Sequence, residues 1–328
     1  MLKSVLCSMM AWALLAAGAS VMAEELLDPQ LPAYRPVDKL EGKIVLVGSD
    51  TMSQVASAWK TRFKQFYPDV EITITVKGAA NALPAVMAGE ATIGMMSYEA
   101  TPEEIAAYTK AKGYAPKLVV PTLERIGVYV HDGNPIESLT LAQADAIFSK
   151  SLKRGEAKEI TTWGAAGVTG ELAAKPIALK GRSVTTGSQV FFQSLVLQGG
   201  EFRAGMTEEK DNLALVKAIQ ADPTAIGFAG EMYQISGLKA VPISYKAGEA
   251  PYALDSVGDE RGSYPLVRPL QFVIDQAPDK ELPAADREFL KYVFSLSGQE
   301  DVVKAGFHPI SAAPAKTALS AVGLNTLN

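Results

Sequence analysis

Short apolar runs alternate with amphipathic stretches along most of this chain. Residues 43–47 read as a buried strand that ends in Gly48-Ser49-Asp50-Thr51-Met52. Val55, Ala58, Trp59, Phe63 and Phe66 then recur at the spacing of one helix face, until Tyr67-Pro68 stops the helix. Val70, Ile72, Ile74 and Val76 share one side of an alternating stretch, which predicts a second strand. Gly78-Ala79-Ala80-Asn81 opens a helix carrying Leu83, Val86 and Met87, and a short strand over 91–96 runs into Ser97. Thr101-Pro102-Glu103-Glu104 marks a helix start by its cap, its first-turn proline and its acids. Strand, loop and helix thus follow one another three times, which predicts a parallel sheet with helices on its faces. Ligands of such sheets lie at the carboxyl ends of the strands. The loops at Ser49, Gly78 and Ser97 fall there.

The alternation continues. Strands are expected at 118–121 and 126–130, and residues 131–135 form a turn cluster and a candidate boundary. A helix over 141–148, a loop closing at 160–164, a strand over 175–180, a helix over 211–219 and a strand over 225–228 make a second α/β stretch. Beyond residue 243 the chain turns polar and rich in Gly and Pro. Residues 266–274 read as a strand, and Pro269 inside it predicts an edge or a bulge. Closing helices are expected at 283–295 and 299–305. The fold class is α/β, with lobe 1 built from 42–130 and 245–328 and lobe 2 from 131–244. Two lobes joined by more than one crossing leave a cleft, the usual place for a ligand.

Composition narrows the function. A chain of 328 residues has room for one large domain or two of medium size. A net charge of -5 gives no basic footprint, which argues against nucleic acid but not against a local anion site. At the start, Lys3, the apolar core over 11–17 and Val21-Met22-Ala23 have the form of a secretory signal peptide, residues 1–23, cleaved after Ala23. An irregular, Pro-rich leader over 24–41 follows. The single cysteine, Cys7, lies in the removed segment, so the mature chain has no disulfide. No later run is long and apolar enough to span a bilayer as a helix. The expected location is the periplasm or the exterior.

Candidate chemistry centres on Arg182-Ser183-Val184-Thr185-Thr186-Gly187-Ser188. It sets a cation four residues before a hydroxyl-Gly-hydroxyl turn, and an amphipathic run with Val190, Phe191, Leu195 and Val196 follows at once. Ser188 or Thr186 is placed to cap that helix. First-turn N–H groups and the helix dipole favour an anion. Gly187 lets the backbone approach it, and Arg182 adds a planar fork of donors. Ser49 with Thr51 and Met52, Gly78 to Asn81, and Ser97 offer further oxyanion donors. Asp50 and Glu99 beside them are candidate proton acceptors. The only histidines, His131 and His308, lack metal-ligand spacing. There is no P-loop and no HExxH. A secreted phosphatase using Ser188 or Thr186 would need a base or a metal, and the sequence offers neither. No cofactor is expected.

In this order the loops resemble those of phosphate-binding proteins of phosphate-specific ABC transporters, over residues 43–311. The resemblance implies the periplasmic binding protein type II fold, inorganic phosphate between the lobes, and delivery to an ABC permease in the inner membrane. Monomer is the default for this class. Arg182-x-x-x-Thr186-Gly187-Ser188 matches the family's arginine and Ser/Thr-Gly-Thr/Ser turn, which implies that Arg182, both hydroxyls and the Gly187 backbone bind phosphate. Thr51 contributes its side chain and Met52 its N–H by the same resemblance. Two departures stand out. The second loop lacks the family's serine, which leaves the backbone of Gly78 and Ala79, or the Asn81 side chain. Ser97 stands where some members have an aspartate that accepts the phosphate proton and rejects sulfate. Selectivity then falls to Ser97 itself, to Asp50 or to Glu99, and another oxyanion or a phosphate-linked signalling role stays open.

Overall fold

The computed structural model describes residues 27–256 and 263–324. The signal peptide expected at 1–23 lies outside them. The described part of the leader is irregular up to Glu41 but tied down. Leu31 and Leu40 are buried, Leu296 N–H donates to Pro32 C=O at 2.9 Å, and the Tyr34 and Tyr67 hydroxyls meet at 2.8 Å.

The three predicted strand–helix units form. They are β1 (Gly42–Gly48) and α1 (Asp50–Phe66), β2 (Val70–Val76) with a 3-10 turn at Ala79–Asn81 and α2 (Ala82–Met87), and β3 (Ile93–Met96) and α3 (Pro102–Lys112). Strand β1 pairs in parallel with both β2 and β3. Thr101 caps α3 as expected, and Glu104 completes a full capping box there.

Then β4 (Lys117–His131) runs for 15 residues, where two strands were expected. Pro121 does not interrupt it. The register with the later strand β11 shifts there, from Thr122 opposite Leu270 to Val119 opposite Phe272. Val120 and Pro121 together face Gln271, so the missing N–H falls on a bulge.

Next come β5 (Leu139–Thr140), α4 (Leu141–Phe148), β6 (Ala178–Gly181), α5 (Gly187–Leu195), β7 (Thr207–Glu208), α6 (Asn212–Gln220), β8 (Ala225–Gly230), β9 (Leu238–Ala240) and β10 (Ile243–Ser244). The chain closes with β11 (Val267–Ile274), α7 (Ala284–Val293), α8 (Leu296–Lys304) and α9 (Ala312–Ala321).

The main sheet runs β2-β1-β3-β11-β4-β8-β6-β7, with β9 against β4. The β11 strand lies between β3 and β4, antiparallel to both, so it is an interior strand and not the edge that Pro269 suggested. Proline is tolerated because Leu123, opposite it, exchanges both backbone hydrogen bonds with His308 instead. The β4 strand is shared: up to Arg125 it pairs with β11, and from Ile126 it pairs with β8. The sheet curls at that change of partners and yields two α/β lobes with a cleft between them.

Helices α1, α7, α8 and α9 pack one apolar core around Trp59, Phe63, Phe289 and Leu319. The indole N–H of Trp59 donates to Gly298 C=O at 2.8 Å. A second core covers the other face of the first strands and continues under β8. Its centre is Phe192 stacked on Phe228 at 3.9 Å between centroids, with Phe148 edge-on.

Candidate functional site

The first three strands deliver their carboxyl ends to one place. Lys77 and Gly78 N–H both donate to Gly48 C=O, at 3.1 and 3.0 Å, and Ser49 N–H donates to Met95 C=O at 2.9 Å. Ser49 caps α1. Its hydroxyl accepts from Met52 N–H at 3.2 Å and donates to Ser97 Oγ at 2.9 Å. Ser49, Thr51, Met52, Ala79 and Ser97 are buried together. Gly78 sits at φ +88°, a backbone region that L side chains avoid. The Asn81 amide donates to Lys77 C=O at 2.7 Å. Glu99 is exposed and forms no hydrogen bond among the described residues, so it is not drawn into this cluster.

The other lobe contributes the Arg182 loop. Arg182 follows β6 and is only 6% exposed. Its Nη2 lies 3.2 Å from Asp50 Oδ2, which makes an ion pair with the start of α1. Its Nη1 donates to Asn212 Oδ1 at 3.0 Å, and its Nε is buried without a partner among the described residues. Gln189 Oε1 receives the Arg182 N–H at 3.2 Å.

Thr186 is the N-cap residue of α5, but the cap expected from Thr186 or Ser188 does not form. The Thr186 hydroxyl donates backwards to Ser183 C=O at 2.8 Å. The first-turn N–H groups of α5, which have no intrahelical acceptor, therefore receive no side-chain cap. Ser188 is buried, and its hydroxyl has no hydrogen bond among the described residues.

The two halves touch. A Cβ on Gly187 would lie 1.8 Å from Ser97 Oγ and 3.0 Å from Ser97 C=O, so only glycine allows this approach. Thr185 C=O lies 3.4 Å from the Cβ position of Gly78. Gln54 Nε2 donates to Tyr233 OH at 2.8 Å. These approaches bring the Ser49, Gly78, Ser97 and Arg182 loops together, with Thr51, Met52, Ala79, Thr186 and Ser188 on the same loops and helix starts. Among the described residues no group of His, Cys, Asp or Glu is placed to hold a metal ion.

Sequence reasoning missed three residues here. Arg268 on β11 is 1% exposed and binds Glu124 of β4 through Nε and Nη2, at 2.8 and 2.5 Å. It also donates to Ser97 C=O at 2.7 Å. Burial pushes the Glu124 carboxyl up, against the pull of Arg268 beside it. Asn212, which holds Arg182, opens α6 next to its N-cap Asp211, at the start of the helix expected over 211–219. A charge inside an otherwise apolar strand was the available signal for Glu124 and Arg268. Their pairing joins elements 144 residues apart, which no local pattern encodes.

An α/β sheet curled into two lobes, with convergent donors for a tetrahedral anion between them, defines the class of two-lobed solute-binding proteins. The sequence matches the PBP superfamily domain over residues 34–297. The phosphate-binding protein PstS of Pseudomonas aeruginosa is 35% identical over 298 residues, 91% of this chain and 92% of that protein. PstS of Bacillus subtilis is 26% identical, with 94% of each chain covered. Among solved structures, an ABC-type phosphate transport receptor from Vibrio cholerae has a TM-score of 0.66 at 19% identity, covering 82% of this chain and 100% of that one. PstS from Borrelia burgdorferi has a TM-score of 0.55 at 19% identity, over 82% and 99%. This chain belongs to the PBP superfamily and, within it, to the family of PstS phosphate-binding proteins.

Proposed function

We propose that this chain captures inorganic phosphate between its two lobes and delivers it to an ABC permease in the inner membrane. One observation carries the reading: buried Arg182 of lobe 2, with an unspent Nε–H, pairs with Asp50 at the start of α1, the helix that carries Thr51 and Met52. Nearly full-length similarity to a protein named for phosphate binding supports it. In this reading Thr51, Ser97, Arg182 and Ser188 bind by side chains. Met52, Gly78, Ala79 and Gly187 bind by backbone N–H, and Thr186 shapes the turn. Met52 shares its N–H between the Ser49 cap and the ligand.

Asp50 supplies the proton acceptor that Ser97 replaces. Its carboxylate already faces the cation of the site. A carboxylate there tolerates an anion that brings its own proton and repels fully ionised sulfate. The lobes divide as 42–130 with 245–328 against 131–244; the change of partners along β4 supports a division into two, although it falls after Arg125 and pairs 126–130 with the second lobe. The protein is a monomeric receptor in the periplasm, cleaved after Ala23, and it releases its ligand unchanged. Equilibrium dialysis with radiolabelled phosphate tests this. One saturable site, displaced by arsenate and not by sulfate, is expected. Equal displacement by sulfate would transfer the reading to a general oxyanion binder.

A further inference from the structure

We propose that Arg268, paired with Glu124, is a positioning residue that sets the lobe 1 half of the anion site from behind; the inference rests on the reading of the site given above. Arg268 comes from β11, remote in sequence from every loop of the site. Its fork spreads over three elements. Nε and Nη2 grip Glu124 Oε2, Nη1 donates to Ser97 C=O at 2.7 Å, and Nη2 lies 3.4 Å from Thr51 Oγ1. The guanidinium also lies 5.9 Å from the ring centroid of Phe191, on the helix that carries Gly187 and Ser188.

Two consequences follow from these contacts. The Thr51 oxygen faces an N–H of a cation, so its lone pair is turned to Arg268 and its proton is left for the anion. The Ser97 carbonyl is pinned, which fixes the hydroxyl that stands between Ser49 Oγ and the Gly187 backbone. The Glu124–Arg268 pair carries no net charge, so it adds little field to the site. What it adds is geometry.

Stability alone is a poor account of such a pair. Buried ion pairs are commonly matched or surpassed in stability by apolar residues of similar volume. This one also leaves Glu124 Oε1 buried without a partner among the described residues. A planar fork suits one head holding three acceptors at fixed angles, and an ammonium does not.

The test uses the mature chain and inorganic phosphate. Glu124→Gln with Arg268→Met removes the pair without leaving a buried charge. We expect its Tm to stay near or above that of the wild type while phosphate affinity falls about 10-fold or more, the worth of a charge-assisted hydrogen bond. Arg268→Lys keeps the charge opposite Glu124 but loses the fork, and should weaken binding as well; it serves alone if the double variant does not fold. In a Thr51→Val background the added loss should be smaller, because part of the effect acts through Thr51. Unchanged affinity in the folded double variant, or in Arg268→Lys, would overturn the positioning role while leaving the receptor reading intact. Failure of the wild type to bind phosphate would instead sink the receptor reading, and this inference with it.

Discussion

Arg182 is the sharpest place to perturb the site. Replacing it with Met keeps most of the volume and removes the only cation that lobe 2 presents to the anion in this reading. A guanidinium has five N–H donors. In the structure Nη2 is turned to Asp50 at 3.2 Å, Nη1 to Asn212 at 3.0 Å, and Nε has no partner among the described residues. The remaining donors are available to a ligand in a buried setting, and each charge-assisted hydrogen bond is worth about 1.5–3 kcal/mol. Two such bonds give a loss of about 3–6 kcal/mol, comparable with the cost of truncating a buried charged partner. At about 1.4 kcal/mol per decade this is roughly a 100- to 20,000-fold rise in Kd. Part of it comes from Asp50, which Arg182→Met leaves unpaired beside an incoming anion. Adding Asp50→Asn to Arg182→Met should therefore recover some affinity and relax discrimination against sulfate. Isothermal titration of both variants with phosphate and sulfate measures this. Affinity of Arg182→Met within error of the wild type would refute the assignment of Arg182 as the ligand cation.

The other expectations concern closure, the hydroxyls and a buried acid. Gly187→Ala places a methyl 1.8 Å from Ser97 Oγ, so the lobes cannot meet as they do here. Overpacking of about 1–3 kcal/mol should appear as weaker phosphate binding and a smaller contraction in X-ray scattering, with Tm of the free protein little changed. Ser188→Ala should cost more affinity than Thr186→Ala in titration, because the Thr186 proton is already given to Ser183 C=O. Equal losses would contradict that division. Asp286 in the first turn of α7 is buried, and burial pushes its carboxyl up to about 6 from an ordinary 3.8. A carboxyl raised in the folded state binds protons more readily there than in the unfolded chain, so stability falls as pH rises through this interval. Above it the charged form costs about 3 kcal/mol. Asp286→Asn should raise Tm at pH 7 to 8 and lose that advantage near pH 4. A Tm gain independent of pH would exclude this cause.

Much of the architecture was legible because local signals agreed with tertiary packing. The alternation over Val70 to Val76, the capping signature at Thr101 and the apolar face of α1 each describe one element that forms as read. The prolines were read only in part: Pro269 signalled an edge or a bulge, and the strand is interior with a register shift beside it. Pro121 and Pro269 weaken a strand in isolation, yet a bulge at Gln271 and the exchange between Leu123 and His308 absorb their missing donors. Those partners lie far along the chain. The loops of the candidate site were readable from hydroxyls and glycines before helices, and the structure brings Ser49, Thr51, Ser97, Gly187 and Arg182 together. What stayed hidden is pairing over distance. Asp50 opposite Arg182, Asn212 beneath it, and Glu124 with Arg268 behind the wall each join elements that only the folded chain brings into contact.

The most direct test is calorimetric titration of the mature wild-type chain with phosphate near neutral pH, with sulfate in parallel. Any co-purified anion should first be stripped by unfolding and refolding. Saturable binding of one phosphate per chain, with no sulfate response, is the expected result. No heat with phosphate, on protein shown by circular dichroism to be folded, would contradict the claim that these loops form a phosphate site.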